Sequence, residues 1–305
     1  MRLKSNTILL IAVLSGVLMS IALLCYLFLF EKNADFPMPE SGRIIFPKLS
    51  HSDMSGRIPY ISFFDLATGT KNQLTLPKKY FVSDIRTEPS GNFVFFASDA
   101  QRIMKYDPST QKCEKYLSVP VRRRIVDYAL SANKSVVVTV GVSAESSSEE
   151  ADILIYDNPQ GLPRSLSITR KMDECCDVSI EKNGNLLVYE TSDSQIVLFD
   201  IEHGTEVISF PGLCATISWD GKHIAYSDHQ VLCIFDIALK QHTKTGFSVH
   251  LSPIVWSPDD EYIAFYSKSD LKYSDTEVSI YSLKHKQAAR KFSTSECHAE
   301  LAWIK

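Results

Sequence analysis

Three arginines in a row, Arg122, Arg123 and Arg124, are the only run of three Lys or Arg residues in the chain. Guanidinium groups clustered in this way fit carboxylate or phosphate oxygens and suit an anion or an acidic partner. A second reading is open: the stretch Ser143 to Asp152 reads SAESSSEEAD, and an acidic loop on the same side would neutralise the arginines, weakly if both are exposed. Other chemistry is sparse. No H-E-x-x-H, G-x-S-x-G or phosphate-binding P-loop occurs. The histidines at 51, 203, 223, 229, 242, 250, 285 and 298 show no paired ligand spacing. The sequence thus nominates no catalytic, cofactor-binding or metal-ligating residue, and its binding candidates are Arg122, Arg123 and Arg124. A metal held by residues from distant parts of the chain stays open.

Seven cysteines in 305 residues are too few for a disulfide scaffold. Cys113 and Cys233 read as small apolar strand residues. Cys25 falls in the most apolar segment. Cys176, or its neighbour Cys175, and Cys214 stand near the starts of successive strands, where a bridge needs a Cα separation of about 4.4–6.8 Å. A formal net charge of -4 gives no basic field for nucleic acid.

The elements that must position these residues come from a repeat. An aromatic residue followed by Asp closes a short apolar run at Phe64-Asp65, Tyr106-Asp107, Tyr156-Asp157, Phe199-Asp200 and Phe235-Asp236, and Tyr281-Ser282 is a sixth instance with the Asp lost. An Asp at this point can fold its side chain onto the next amides and start a tight turn. Before each pair, from the second on, a polar turn leads into an apolar strand: Glu88 to Gly91, Ser131 to Lys134, Glu181 to Gly184, Ser218 to Gly221 and Ser257 to Asp260. Each unit is therefore four short strands, a to d, with a period near the about 40–45 residues of a propeller blade. No 3.6-residue apolar stripe follows residue 30. Blades cannot bury their own faces and stack around a channel. On that expectation Arg122–Arg124 lie in the d–a connection before the third blade. Trp256 and Trp303 pack between blades, and Tyr262, Phe265 and Tyr266 are core.

Ser257-Pro258-Asp259-Asp260 followed by Tyr262-Ile263-Ala264-Phe265 resembles the S-P-D-G-x-x-I-A-F motif of TolB-type, WD40-like propellers. The resemblance covers roughly residues 42–305 and implies a propeller fold but no single activity. The Trp-Asp that closes a WD40 strand is missing, since Trp219-Asp220 falls in an a–b turn.

The expected fold is all-β, a six-bladed β-propeller over 42–305. The end Ala299–Ile304 matches Ser252–Ser257 and should complete the first blade. A single transmembrane helix is expected at 7–30, where 24 residues carry no charge, with a cytoplasmic N-terminus at 1–6 and a linker at 31–41. Arg2 and Lys4 precede the span and Glu31, Lys32, Asp35 and Glu40 follow it, so the propeller is expected on the extracytoplasmic side. The a–b/c–d face should then look toward the membrane. The face with the long loops Pro47–Pro59, Gly141–Asp152 and Lys268–Glu277 should look away from it and carry function. The favoured function is a membrane-tethered, non-catalytic propeller, without cofactor or nucleic acid, that binds a protein or cell-envelope partner. The alternative is an enzyme acting on carbohydrate or peptide at the channel mouth.

Overall fold

Strand c of each repeat shows why the chain folds as it does. Gln195-Ile196-Val197-Leu198-Phe199-Asp200 and Val231-Leu232-Cys233-Ile234-Phe235-Asp236 are strands whose four central side chains are all buried. Such a strand is covered on both faces and needs a sheet on either side. The computed structural model describes residues 42–47, 60–75, 83–99, 101–120, 123–132, 136–142, 151–168, 172, 177–249, 253–267, 276–294 and 301–304.

These residues form six four-stranded antiparallel sheets. Blade 1 contains β1 (Arg43–Pro47), β2 (Tyr60–Asp65) and β3 (Thr70–Thr75). Blade 2 contains β4 (Ser83–Thr87), β5 (Val94–Asp99), β6 (Arg102–Asp107) and β7 (Lys112–Ser118). Blade 3 contains β8 (Arg123–Leu130), β9 (Val136–Val142), β10 (Ala151–Tyr156) and β11 (Arg164–Leu166). Blade 4 contains β12 (Val178–Ile180), β13 (Leu186–Glu190), β14 (Gln195–Asp200) and β15 (Thr205–Pro211). Blade 5 contains β16 (Leu213–Ile217), β17 (His223–Asp228), β18 (Val231–Asp236) and β19 (Gln241–Ser248). Blade 6 contains β20 (Val255–Trp256), β21 (Tyr262–Ser267), β22 (Thr276–Ser282) and β23 (Gln287–Thr294). The last strand, β24 (Ala302–Ile304), returns to blade 1, where Ile304 pairs with Arg43, Trp303 with Ile44 and Ala302 with Ile45. The inner strands touch one another in a closed cycle, β24, β4, β8, β12, β16, β20 and back to β24.

The core lies between sheets. One apolar cluster joins Ile153 and Ile155 of blade 3 to Leu187 and Phe199 of blade 4. Another joins Val188 and Leu198 of blade 4 to Ile224 and Phe235 of blade 5. Trp256, Ile263 and Phe265 of blade 6 pack with Ala225 and Leu232 of blade 5. The outer strands are polar and largely exposed, as in β19.

Four of the five aromatic-Asp pairs do the work expected of them, and in blade 3 Asn158, next to Asp157, accepts the Gln160 amide at 3.0 Å instead. The Asp65 carboxylate accepts the Thr68 amide at 2.9 Å, Asp107 that of Ser109 at 2.8 Å, Asp200 that of His203 at 2.9 Å and Asp236 that of Leu239 at 2.8 Å. In the repeat that lost its Asp, the Ser282 hydroxyl accepts the His285 amide at a longer 3.4 Å. The last residue of each four-residue c–d turn is left-handed: Gly69, Gln111, Gly204, Lys240 and Lys286 have φ between 54° and 69°. Glycine meets that demand without strain at 69 and 204.

The expected transmembrane helix does not stand. Every described element is a strand, bridge, turn or bend, and no helix among the described residues is long and apolar enough to cross a membrane. The expected span at 7–30, with the flanks 1–6 and 31–41, lies outside the described residues. The single-pass topology, the membrane contact through 7–30 and the choice of a membrane-facing side rested on the apolar stretch and its flanking charges, and no helix among the described residues supports them. A function defined by tethering falls with them.

Leu301, Ala302, Trp303 and Ile304 are each no more than 2% exposed. Burying a large apolar side chain contributes about 1.5–3 kcal/mol, and a domain's whole stability is about 5–15 kcal/mol. Deleting Leu301 to Lys305 should therefore abolish or sharply lower cooperative thermal unfolding by circular dichroism. An unchanged melting temperature would show that β24 contributes nothing to the fold.

Candidate functional site

The inner strands enclose a central cavity of about 80 Å³. Its wall is two-sided. Arg86, Asp177, Ser179 and Thr216 supply a polar side from blades 2 to 5, while Trp219, Trp256 and Trp303 supply an apolar one. These are the three tryptophans of the chain.

The polar groups are tied across blades. The Arg86 guanidinium donates to Asp127 Oδ1 at 2.7 Å, and Asp127 Oδ2 accepts the Val178 amide at 2.8 Å. One carboxylate thus links blades 2, 3 and 4. The Ser179 hydroxyl accepts the Ile217 amide at 3.1 Å and lies 3.2 Å from the Thr216 hydroxyl. Glu190 Oε1 accepts the Ala215 amide at 2.7 Å. The Trp256 indole N–H donates to the Thr216 carbonyl at 3.1 Å, so this tryptophan both packs between blades and binds blade 6 to blade 5.

A second set of ties runs through the a–b turns. The Ala132 amide donates to the Lys182 carbonyl at 2.9 Å, and the Lys182 amide to the Trp219 carbonyl at 3.0 Å. In blade 6 a carboxylate takes the place of the carbonyl: Asp260 accepts the amides of Trp219 at 2.7 Å and Asp220 at 2.9 Å. Asp260 stands where three other turns carry Gly91, Gly184 and Gly221, and it keeps their left-handed backbone with φ of 60°. Asp tolerates that conformation better than most side chains do. The motif serines hold each turn internally. Ser218 Oγ accepts the His223 amide and Ser257 Oγ the Tyr262 amide, both at 2.9 Å. In blade 4 the Glu181 carboxylate does this for Asn183 and Asn185.

The arginine run sits elsewhere, before and within the start of β8. Arg122 lies outside the described residues. Arg123 pairs with Asp152 at 2.8 Å, and the two side chains are 34% and 49% exposed. Arg124 is exposed. Breaking the buried Arg86–Asp127 pair would cost about 3–5 kcal/mol, whereas an exposed pair such as Arg123–Asp152 contributes about 0–1 kcal/mol. The former is architecture and the latter is free to be exchanged for a partner.

The remaining acidic loop at 143–150, the long loops at 48–59 and 268–275, and Cys175 and Cys176 also lie outside the described residues. Cys214 lines the cavity. Burial pushes the Cys113 thiol up to about 11, with Glu114 adding to it, and burial also raises Cys233. Both are held protonated and poorly nucleophilic. Sequence reasoning passed over Asp127, Glu190 and Asp260. The one available signal was Asp260, which breaks the glycine position of its motif.

No protein-family model matches the chain, and no curated protein matches it. Among solved structures, TolB from Acinetobacter baumannii superposes with a TM-score of 0.67 at 16% identity, over 92% of this chain and 70% of that one. The fold is that of a TolB-like β-propeller. An oligogalacturonate lyase in complex with manganese gives a TM-score of 0.49 at 13% identity, over 74% of this chain and 83% of that one. At such identities the TolB likeness speaks for the fold alone, which matches the S-P-D-D motif and its neighbouring strand.

Asp260 carries a pH signature. Its burial raises the carboxyl to about 6, Asp220 and Asp259 add to this, and the Trp219 and Asp220 amides oppose it. The folded chain then holds a proton that the unfolded chain, at 3.8, has released. This group's contribution is present below about pH 4 and is lost as pH rises through about 6. Asp65, Asp107, Asp200, Asp220 and Asp228 are lowered from 3.8 and act with the opposite sign in a more acidic window. In urea unfolding at about pH 4 and pH 7, the stability of the wild type relative to Asp260→Asn should fall with rising pH. A difference that stays constant or grows would contradict the assignment.

Proposed function

We propose that this TolB-like propeller is a non-catalytic binding scaffold that engages a protein partner bearing acidic groups, with Arg122, Arg123 and Arg124 at the contact. The observation that supports this reading is the division of labour among charged groups. The more buried charged residues Arg86, Asp127, Glu190 and Asp260 are used in holding blades together. The arginine run leads into β8 at the end where d–a and b–c connections meet, and among the described residues Arg123 is held there by an exposed pair. Connections above a rigid scaffold are where binding residues concentrate. Exposed arginines steer an acidic partner and can exchange an intramolecular carboxylate for an intermolecular one.

A photo-crosslinking amino acid placed at position 124 should capture a partner in cells, whereas the same group at Lys222, in an a–b turn, should not. The charge reversal R122E/R123E/R124E should weaken binding of the captured partner at least about tenfold, or about 1.4 kcal/mol, and leave the melting temperature nearly unchanged. Adducts formed only from position 222, or binding indifferent to the reversal, would overturn the reading.

A further inference from the structure

A second cavity lies away from both the channel and the arginine run. A groove of about 510 Å³ opens between blade 2 and the c–d loop of blade 3. That volume is within the about 300–1,000 Å³ of small-ligand sites.

The loop is the exception in the ring. The other c–d connections have four residues, but Asp157–Pro163 has seven. It carries Leu162, 96% exposed, the most exposed large apolar residue described. A connection longer than the scaffold needs is a candidate for function.

The blade 2 wall is aromatic. Met104 pairs with Lys115 and Ile103 with Leu117, so Tyr116 is the unopposed residue of a bulge in β7. A bulge re-aims a side chain, and here Tyr116 stands edge-on to Phe95 with ring centroids 4.8 Å apart. Burial, with Glu88 adding to it, pushes the Tyr116 hydroxyl up to about 12. It remains a neutral group that both donates and accepts, beside an apolar ring.

Around it, donors and acceptors of both kinds line the groove. Lys105 and Lys115 oppose Glu88 and Glu114. The third carboxylate, Asp157, is offset by Arg164 at 3.7 Å. The local charge therefore nearly cancels and selects neither a cation nor an anion. The Asn158 and Gln160 amides add groups that donate and accept at once. The side chains of Glu114, Lys115 and Gln160 and the Tyr116 hydroxyl make no hydrogen bond among the described residues.

We propose that this groove binds a short neutral oligosaccharide. Sugar hydroxyls each donate and accept, which matches intermixed ammonium, carboxylate and amide groups without net charge. The C–H face of a pyranose ring matches the partly exposed Tyr116 ring. An extended peptide would be held through backbone ladder bonds, and the bulge at Tyr116 interrupts the β7 edge that would have to supply them.

The test uses the full chain and saturation-transfer NMR, with maltotriose, cellotriose and triacetylchitotriose as neutral probes and trilysine and a glycine-serine hexapeptide as controls. At least one trisaccharide should show transfer with a Kd of about 1 mM or tighter. Y116A and Q160A should each weaken it at least about tenfold, while E202A, at an exposed residue of the blade 4 c–d turn, leaves it unchanged. Gln160 is exposed, so Q160A keeps the test valid if Y116A fails to fold. No transfer from any trisaccharide, transfer that survives both substitutions, or binding of a control alone would overturn the proposal.

Discussion

An inner strand of this ring has one edge with no strand to pair with. Amides on that edge point toward the axis, where the cavity is too small to hydrate them freely, and a buried unpaired amide is costly. The chain answers with side chains from neighbouring blades. Asp127 takes the Val178 amide, Ser179 that of Ile217 and Glu190 that of Ala215. The same bonds that satisfy the edge also fix each blade to the next. Closure by β24 completes the arrangement, because it fills the inner position of the first blade beside β1.

This requirement shapes what the molecule can do. Arg86, Ser179 and Thr216 in the channel are bonded across blades, so this part of the axis serves as a spine. The two places proposed for recognition, the basic approach to β8 and the seven-residue loop of blade 3, lie away from those ties. Each sits on scaffold that is independently rigid, since the apolar clusters join successive sheets.

Much of the fold was legible because its signals are local. An Asp after an aromatic residue binds an amide two or three residues on, and a motif Ser one five residues on. The strands between them are continuous apolar runs because both their faces are covered. The inter-blade ties were not legible, because their partners are distant in the chain: 41 residues separate Arg86 from Asp127 and 51 separate Asp127 from Val178. Asp260 reads locally as a degraded glycine turn, and its use emerges only when blade 5 is set beside it. The apolar segment at 7–30 shows the converse limit. Hydropathy suggested a span there and flanking charges a topology and a location, while the segment lies outside the described residues, which are built from sheets.

The central claim is that side chains of one blade secure the free edge of the next. Native-state hydrogen exchange measures this at single amides. Val178, Ala215 and Ile217 should exchange as slowly as Leu187 and Val197, which lie in the sheet ladders, because both classes open only when the ring unfolds. If those three amides exchange as fast as the exposed c–d turn at Gly204 while Leu187 and Val197 remain protected, the ties do not hold the ring and the account is wrong.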